Sequence, residues 1–298
     1  MKTASSWLLS IGLLFGALIC PSVSSAGDFE TSFRKNVGSF LDGLDAEQSK
    51  ACLFPVKDKN RWQMQYTGGK RPGILISKLT EKQRTALDLC LGMVLSKEGL
   101  KLAAAVAKQD TPDGLGKYWI TCYGDPRGQG NFAFRIAEHH LTVVHLEMAK
   151  GKTTEFGPIL LGSDPAIVWQ ADEKILIDAW KKIADEKVLI KGKKGISSKA
   201  MPKNEGVLFS SLNAAGQTAI KSVWQHRLRV FTKPIQDRIN QLHTARGGWE
   251  KSRVAFYNQT PEKICVEGGR WDFKCGLPGM VWDLENSRGH IHLSLWVK

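Results

Sequence analysis

Tyr118-Trp-Ile-Thr-Cys-Tyr123, Asp125-Pro-Arg-Gly-Gln-Gly-Asn131, Phe132-Ala-Phe-Arg135 and His139-His-Leu-Thr-Val-Val-His-Leu-Glu-Met148 follow one another almost without a break. Aromatic and β-branched residues crowd the first, third and fourth runs, whereas Asp, Pro and Gly fill the second. That order reads as strand, turn-rich loop and two further strands. Upstream the period is helical: Phe29, Phe33, Val37, Phe40, Leu41 and Leu44 recur every three or four residues between Asp28 and Leu44. Thr80, with Gln83 three positions on, predicts a capping box at the start of a helix, and a second helix is expected over 97–109.

Downstream the same order returns. Helices are expected over 173–184, 213–229 and 233–244, and strands over 254–258, 270–275, 279–284 and 290–297. The fold class is therefore α+β, with antiparallel sheet packed against helices. Leu79-Thr80 … Thr85-Ala86-Leu87 overlays Leu212-Asn213 … Thr218-Ala219-Ile220, and Ala133-Phe134-Arg135 overlays Asp272-Phe273-Lys274. Two pseudo-symmetric halves, 27–165 and 166–298, explain this, and chance similarity of short apolar patterns is the alternative. In a true repeat the strands of the two halves meet around a pseudo-twofold axis, and a site there draws residues from both.

The chain has 298 residues, 42 Lys plus Arg against 29 Asp plus Glu, and 10 Trp and 12 Phe that require an interior. Disordered, collagen-like and disulfide-dense classes are excluded. Lys2, the apolar run from Trp7 to Ile19, and Ser24 with Ala26 form a secretory leader, expected to be removed near Gly27. The run, about 13 residues, is shorter than the roughly 20 needed to span a bilayer. The expected product, 27–298, is one exported domain, secreted or periplasmic, with no membrane span after cleavage. Export permits disulfides, and Cys265 and Cys275, ten apart around Gly268-Gly269, are a candidate pair. The basic stretch 191–203 reads as a solvated loop, with attraction to an anionic small molecule or surface as the alternative. No RNA- or DNA-binding signature is present, so nucleic acid is not an expected partner.

Five of the seven histidines fall on two expected strands: His139, His140 and His145 on one, His290 and His292 on the other. Alternation puts His139 and His145 on one face with His140 on the opposite one, and gives His290 and His292 a shared face. Two imidazoles at i and i+2, joined by a third from another strand, suit copper, zinc, nickel or iron. Asp283 and Glu285 are placed to add a carboxylate or to support the ligands. The plainer reading is that the histidines bond backbone carbonyls. Nucleophile-elbow, Walker-loop, deaminase and HExxH patterns are all missing from the sequence.

Tyr123-Gly-Asp-Pro126, Phe134-Arg135-Ile-Ala-Glu-His139-His140-Leu-Thr-Val143, Leu160-Leu-Gly-Ser-Asp-Pro-Ala166 and Gly289-His290-Ile-His292 with Trp296 together resemble a family catalogued as domain of unknown function 3500. Leu79-Thr-Glu-Lys-Gln-Arg84 is similar to the family's helix opening. Glu138 stands where the family usually has glycine, and Val297-Lys298 replace its usual arginine and aspartate. The resemblance implies that His139, His140, His290 and His292 belong together. Arg135 is then a candidate to orient a carboxylate or an anionic substrate, or else a salt-bridge partner of Glu138 or another acid. Three readings stand: a copper- or zinc-dependent oxidase or hydrolase, a non-catalytic metal- or ligand-binding protein, and a basic module for anionic surfaces.

Overall fold

The computed structural model describes residues 26–64, 66–147, 155–183, 185–195, 205–259 and 265–297. The expected leader, Ala26 apart, and most of the basic stretch 191–203 lie outside these ranges. In chain order the elements are α1 (Ala26–Asp42), α2 (Ala46–Cys52), β1 (Leu53–Phe54), β2 (Ile74–Leu75), α3 (Glu81–Val94), α4 (Lys97–Asp110), β3 (Trp119–Tyr123), β4 (Phe132–Ala137), β5 (Leu141–Glu147) and β6 (Phe156–Ser163). The second series is α5 (Gln170–Ile183), β7 (Leu189–Lys191), β8 (Val207–Leu208), α6 (Ala214–Leu228), α7 (Lys233–Ala245), α8 (Gly248–Lys251), β9 (Arg253–Asn258), β10 (Arg270–Leu277), β11 (Met280–Ser287) and β12 (His290–Val297).

The twelve strands among the described residues form one open, mostly antiparallel sheet in the order β1-β3-β4-β5-β6-β12-β11-β10-β9-β7. This order repeats itself. β1 and β7 are the parallel edge strands, on β3 and β9. β2 and β8 pair antiparallel with the same two strands. Two antiparallel meanders, β3 to β6 and β9 to β12, meet where β6 pairs with β12. The helices follow suit, with α1 against α3 and α5 against α6. Thr80 and Asn213 cap α3 and α6, each side chain accepting from a backbone N–H three residues on.

Between the halves the contacts are reciprocal. Ser96 N donates to Val230 O at 2.9 Å, and Thr232 N donates to Val94 O at 3.0 Å. Gly99 is obligatory beside this seam, because a Cβ there would stand 1.9 Å from Val230 O.

The two faces of the sheet differ sharply. Strand alternation sends Phe134, Ile136, Val143, Ile159, Leu161, Phe273, Trp282, Leu284, Leu293 and Leu295 into the core under the helices. Phe33 and Phe40 of α1 pack on Phe134 there. Each such large apolar side chain contributes roughly 1.5–3 kcal/mol on burial. The opposite face carries Thr121, Arg135, Thr142, Asp272, Lys274, Asp283, Glu285, His292 and Ser294, all buried. Loops cover it. Gln63 O accepts from Arg135 Nη2 at 3.0 Å, Pro72 O accepts from Thr121 Oγ1 at 2.6 Å, and Gly195 N donates to Asp272 at 2.7 Å.

The expected Cys265–Cys275 bridge is corrected: both are buried free thiols. Cys275 lies within β10, which pairs with β9 and β11, whereas Cys265 precedes the strand and has no register partner in either pairing. Among the described residues no helix is long and apolar enough to cross a membrane.

Candidate metal centre

Glu138, His139 and His140 do not continue a strand. They form the turn between β4 and β5, which frees both imidazoles from strand alternation. Their rings stack 3.8 Å apart. His290 and His292 share a face at the start of β12 as expected. Because β12 pairs with β6, and β6 with β5, this end of β12 lies beside the β4–β5 turn. One half of the chain thus supplies a turn and the other a strand. His145, the fifth histidine of the two expected strands, is elsewhere: it points into the helix-covered core against Phe29, Phe33 and Phe156.

His139, His140, His290 and His292 each present a ligand atom, and these four atoms lie within 4.8 Å of one another. The inner contacts are His140 Nε2 to His290 Nε2 at 3.0 Å and His290 Nε2 to His292 Nε2 at 3.2 Å. Nitrogens about 2.0–2.1 Å from a tetrahedral ion are roughly 3.3 Å apart, so these spacings fit a coordination shell.

The outer nitrogens face carboxylates. His140 Nδ1 is 2.5 Å from Asp110 Oδ1, His292 Nδ1 is 3.1 Å from Glu285 Oε2, and His290 Nδ1 is 3.5 Å from Asp164 Oδ2. A neutral imidazole has one N–H, and where His140 and His292 donate it from Nδ1 to Asp110 and Glu285, their Nε2 lone pairs point inward toward His290. At these spacings an Nε2–H of His290 can serve one neighbouring ring as a hydrogen-bond donor, and a bound cation can serve all three. His139 Nε2 is buried without a hydrogen-bond partner. Burial first, then the charge of the neighbouring His140, holds His139 down at about 4. His290 is lowered by burial and then by His292.

The surrounding groups fix the frame. Gly162 N donates to His140 O at 2.7 Å, and a Cβ at Gly162 would meet His292 Cδ2 at 2.7 Å and His140 Cδ2 at 2.8 Å. Glycine is therefore demanded by two ring edges. Asp110, at the end of α4, also accepts from the Tyr118 hydroxyl at 3.2 Å. Burial raises Glu285, but hydrogen bonds from His292 and Lys194 outweigh it and hold the carboxyl below its usual range.

The other sequence candidates divide. Glu285 does stand behind a histidine. Glu138 accepts from Gly69 N at 3.0 Å and lies 3.8 Å from Arg71. Arg135 is buried, with Tyr123 Oη at 3.4 Å and Gln63 O as its partners, so Arg71 rather than Arg135 pairs with Glu138. Asp283 accepts from Ser294 Oγ at 2.7 Å on the strand beyond His292. Burial raises its carboxyl, opposed by Ser294, Lys274 and Arg227. Residue-by-residue reading missed Asp110, Asp164 and Gly162. Of these, Gly162 and Asp164 lie in the quoted Leu160–Ala166 segment, whereas nothing local distinguishes Asp110 from any acid at a helix end.

A protein-family model described as protein of unknown function (DUF3500) matches residues 28–189, more than half of the chain. The match takes in His139, His140, Asp110, Gly162 and Asp164, and ends before β12. No curated protein and no solved structure gives a significant match.

Proposed function

The chain belongs to the DUF3500 family, and from that premise we propose that it is an exported protein holding one divalent copper or zinc ion on His140, His290 and His292, with His139 beside them. The observation that carries this reading is the orientation of the rings: Nε2 atoms 3.0 and 3.2 Å apart, with carboxylates behind the outer nitrogens. Carboxylate–histidine pairs of this kind fix the tautomer and raise ligand basicity.

The charges around the site agree. Asp110, Asp164, Glu285 and Glu138 are opposed nearby by Lys194 on Glu285 and Arg71 on Glu138. Asp110 and Asp164 face histidines, and among the described residues neither pairs with a Lys or Arg, which favours a cation held by the rings. The centre also opens to solvent, because the His290 side chain is 30 % exposed. An accessible ion favours an oxidase or hydrolase over a closed carrier site. When bound, such an ion supplies Lewis-acid activation of water or, for copper, electron transfer.

The test is elemental analysis of protein purified without chelator, beside His140→Ala and His292→Ala variants shown to be folded by circular dichroism. About one ion per chain in the parent and none in the variants is the expected result. A metal-free parent that takes up neither copper nor zinc when they are added refutes the reading.

A further inference from the structure

The metal reading leaves open what an exogenous ligand meets at the centre, and the inference here rests on that reading. Asp110, Asp164 and Glu285 stand behind three of the rings, and His139 stacks on His140. One aromatic side chain from outside the four histidines reaches the cluster among the described residues: Tyr66, whose ring meets His292 edge to face with centroids 5.1 Å apart.

Tyr66 is 37 % exposed, among the few large hydrophobic side chains that reach solvent to that degree. Its hydroxyl has no protein hydrogen-bond partner among the described residues. Its segment is anchored. Gly69 N donates to Glu138 Oε1 at 3.0 Å, Arg71 Nη1 donates to Gly69 O at 3.0 Å, and Arg71 Nη2 also donates to Thr67 O. The nearby cations are committed elsewhere, Lys194 to Glu285 at 2.8 Å and Arg71 to Glu138. The Tyr66 phenol, exposed beside His292, is thus a donor at the edge of the cluster with no protein partner among the described residues.

We propose that Tyr66 lines the open side of the metal centre and donates a hydrogen bond from its hydroxyl to a small anion, or to the anionic oxygen of a substrate, bound to the ion. A phenol suits this task because at neutral pH it is uncharged and a donor. It stabilises an anion on the metal without displacing it as a ligand. The substrate class that follows is one presenting a carboxylate, phenolate or hydroxide-like oxygen to the ion.

The experiment loads the parent and Tyr66→Phe with Cu(II) and titrates each with azide, following the azide-to-copper charge-transfer band. The expected result is equal copper in both proteins and about tenfold weaker azide binding in the variant, the scale of one hydrogen bond to a charged group. Equal azide affinity overturns the proposal. Loss of copper from Tyr66→Phe also overturns it, since Tyr66 would then be a metal ligand and not a donor. Copper that fails to bind the parent refutes the metal reading itself and the Tyr66 role with it.

Discussion

Two turns occupy corresponding places in the repeated sheet. Glu138-His139-His140 joins β4 to β5, and Pro278-Gly279 joins β10 to β11. The strands they connect pair antiparallel in both meanders, yet one turn carries two imidazoles and the other carries none. The scaffold is repeated and the chemistry is not. The His cluster sits at one end of the β6–β12 seam, where a turn from the first half meets a strand from the second. The corresponding place in the second meander has Pro and Gly and, among the described residues, no counterpart of the cluster.

The largest effect expected from breaking this asymmetry is at the ligands. His140→Ala or His292→Ala abolishes stoichiometric copper or zinc in elemental analysis, whereas Pro278→Ala leaves it unchanged. Next come the carboxylates behind the rings. Asp110→Asn and Glu285→Gln each weaken metal affinity by about 10- to 100-fold, the usual cost of losing such a partner, as read by competition with a chromogenic chelator. Gly162→Ala forces a methyl group against His140 and His292. It is expected to destabilise the fold by about 1–3 kcal/mol in urea denaturation and to lower metal occupancy.

The smallest effects sharpen the other side of the comparison, the repeated scaffold. Thr80→Ala and Asn213→Ala remove corresponding helix caps and are each expected to cost about 1 kcal/mol in the same denaturation measurement, with metal content intact. A much larger loss at one cap than at the other would show that the halves do not share the load equally.

The scaffold was largely legible because its signals are local. The Thr80 capping box, the apolar stripe of α1 and the strands β9 to β12 follow from spacing alone, whereas the symmetric strand order about the β6–β12 pair is a property of the folded sheet. The site was legible only in part. His290 and His292 obey strand alternation. His139 and His140 do not, because Glu138-His-His lacks the Gly, Pro or Asn that usually marks a turn. That misplaced turn also put His145 on the face of His139, whereas its ring packs among Phe29, Phe33 and Phe156. Asp110 and Asp164 reach the cluster through tertiary packing, which local spacing does not encode. The buried polar face is likewise invisible in the sequence, since it exists only because loops around Gln63, Pro72 and Gly195 fold over it.

The central claim is that three Nε2 atoms converge on one ion, and an anomalous-difference map from crystals of the copper- or zinc-loaded protein, recorded at the metal's absorption edge, tests it most directly. The account predicts a single strong peak enclosed by Nε2 of His140, His290 and His292. A peak elsewhere on the chain, or no peak from protein that analysis shows to carry the ion, would contradict it.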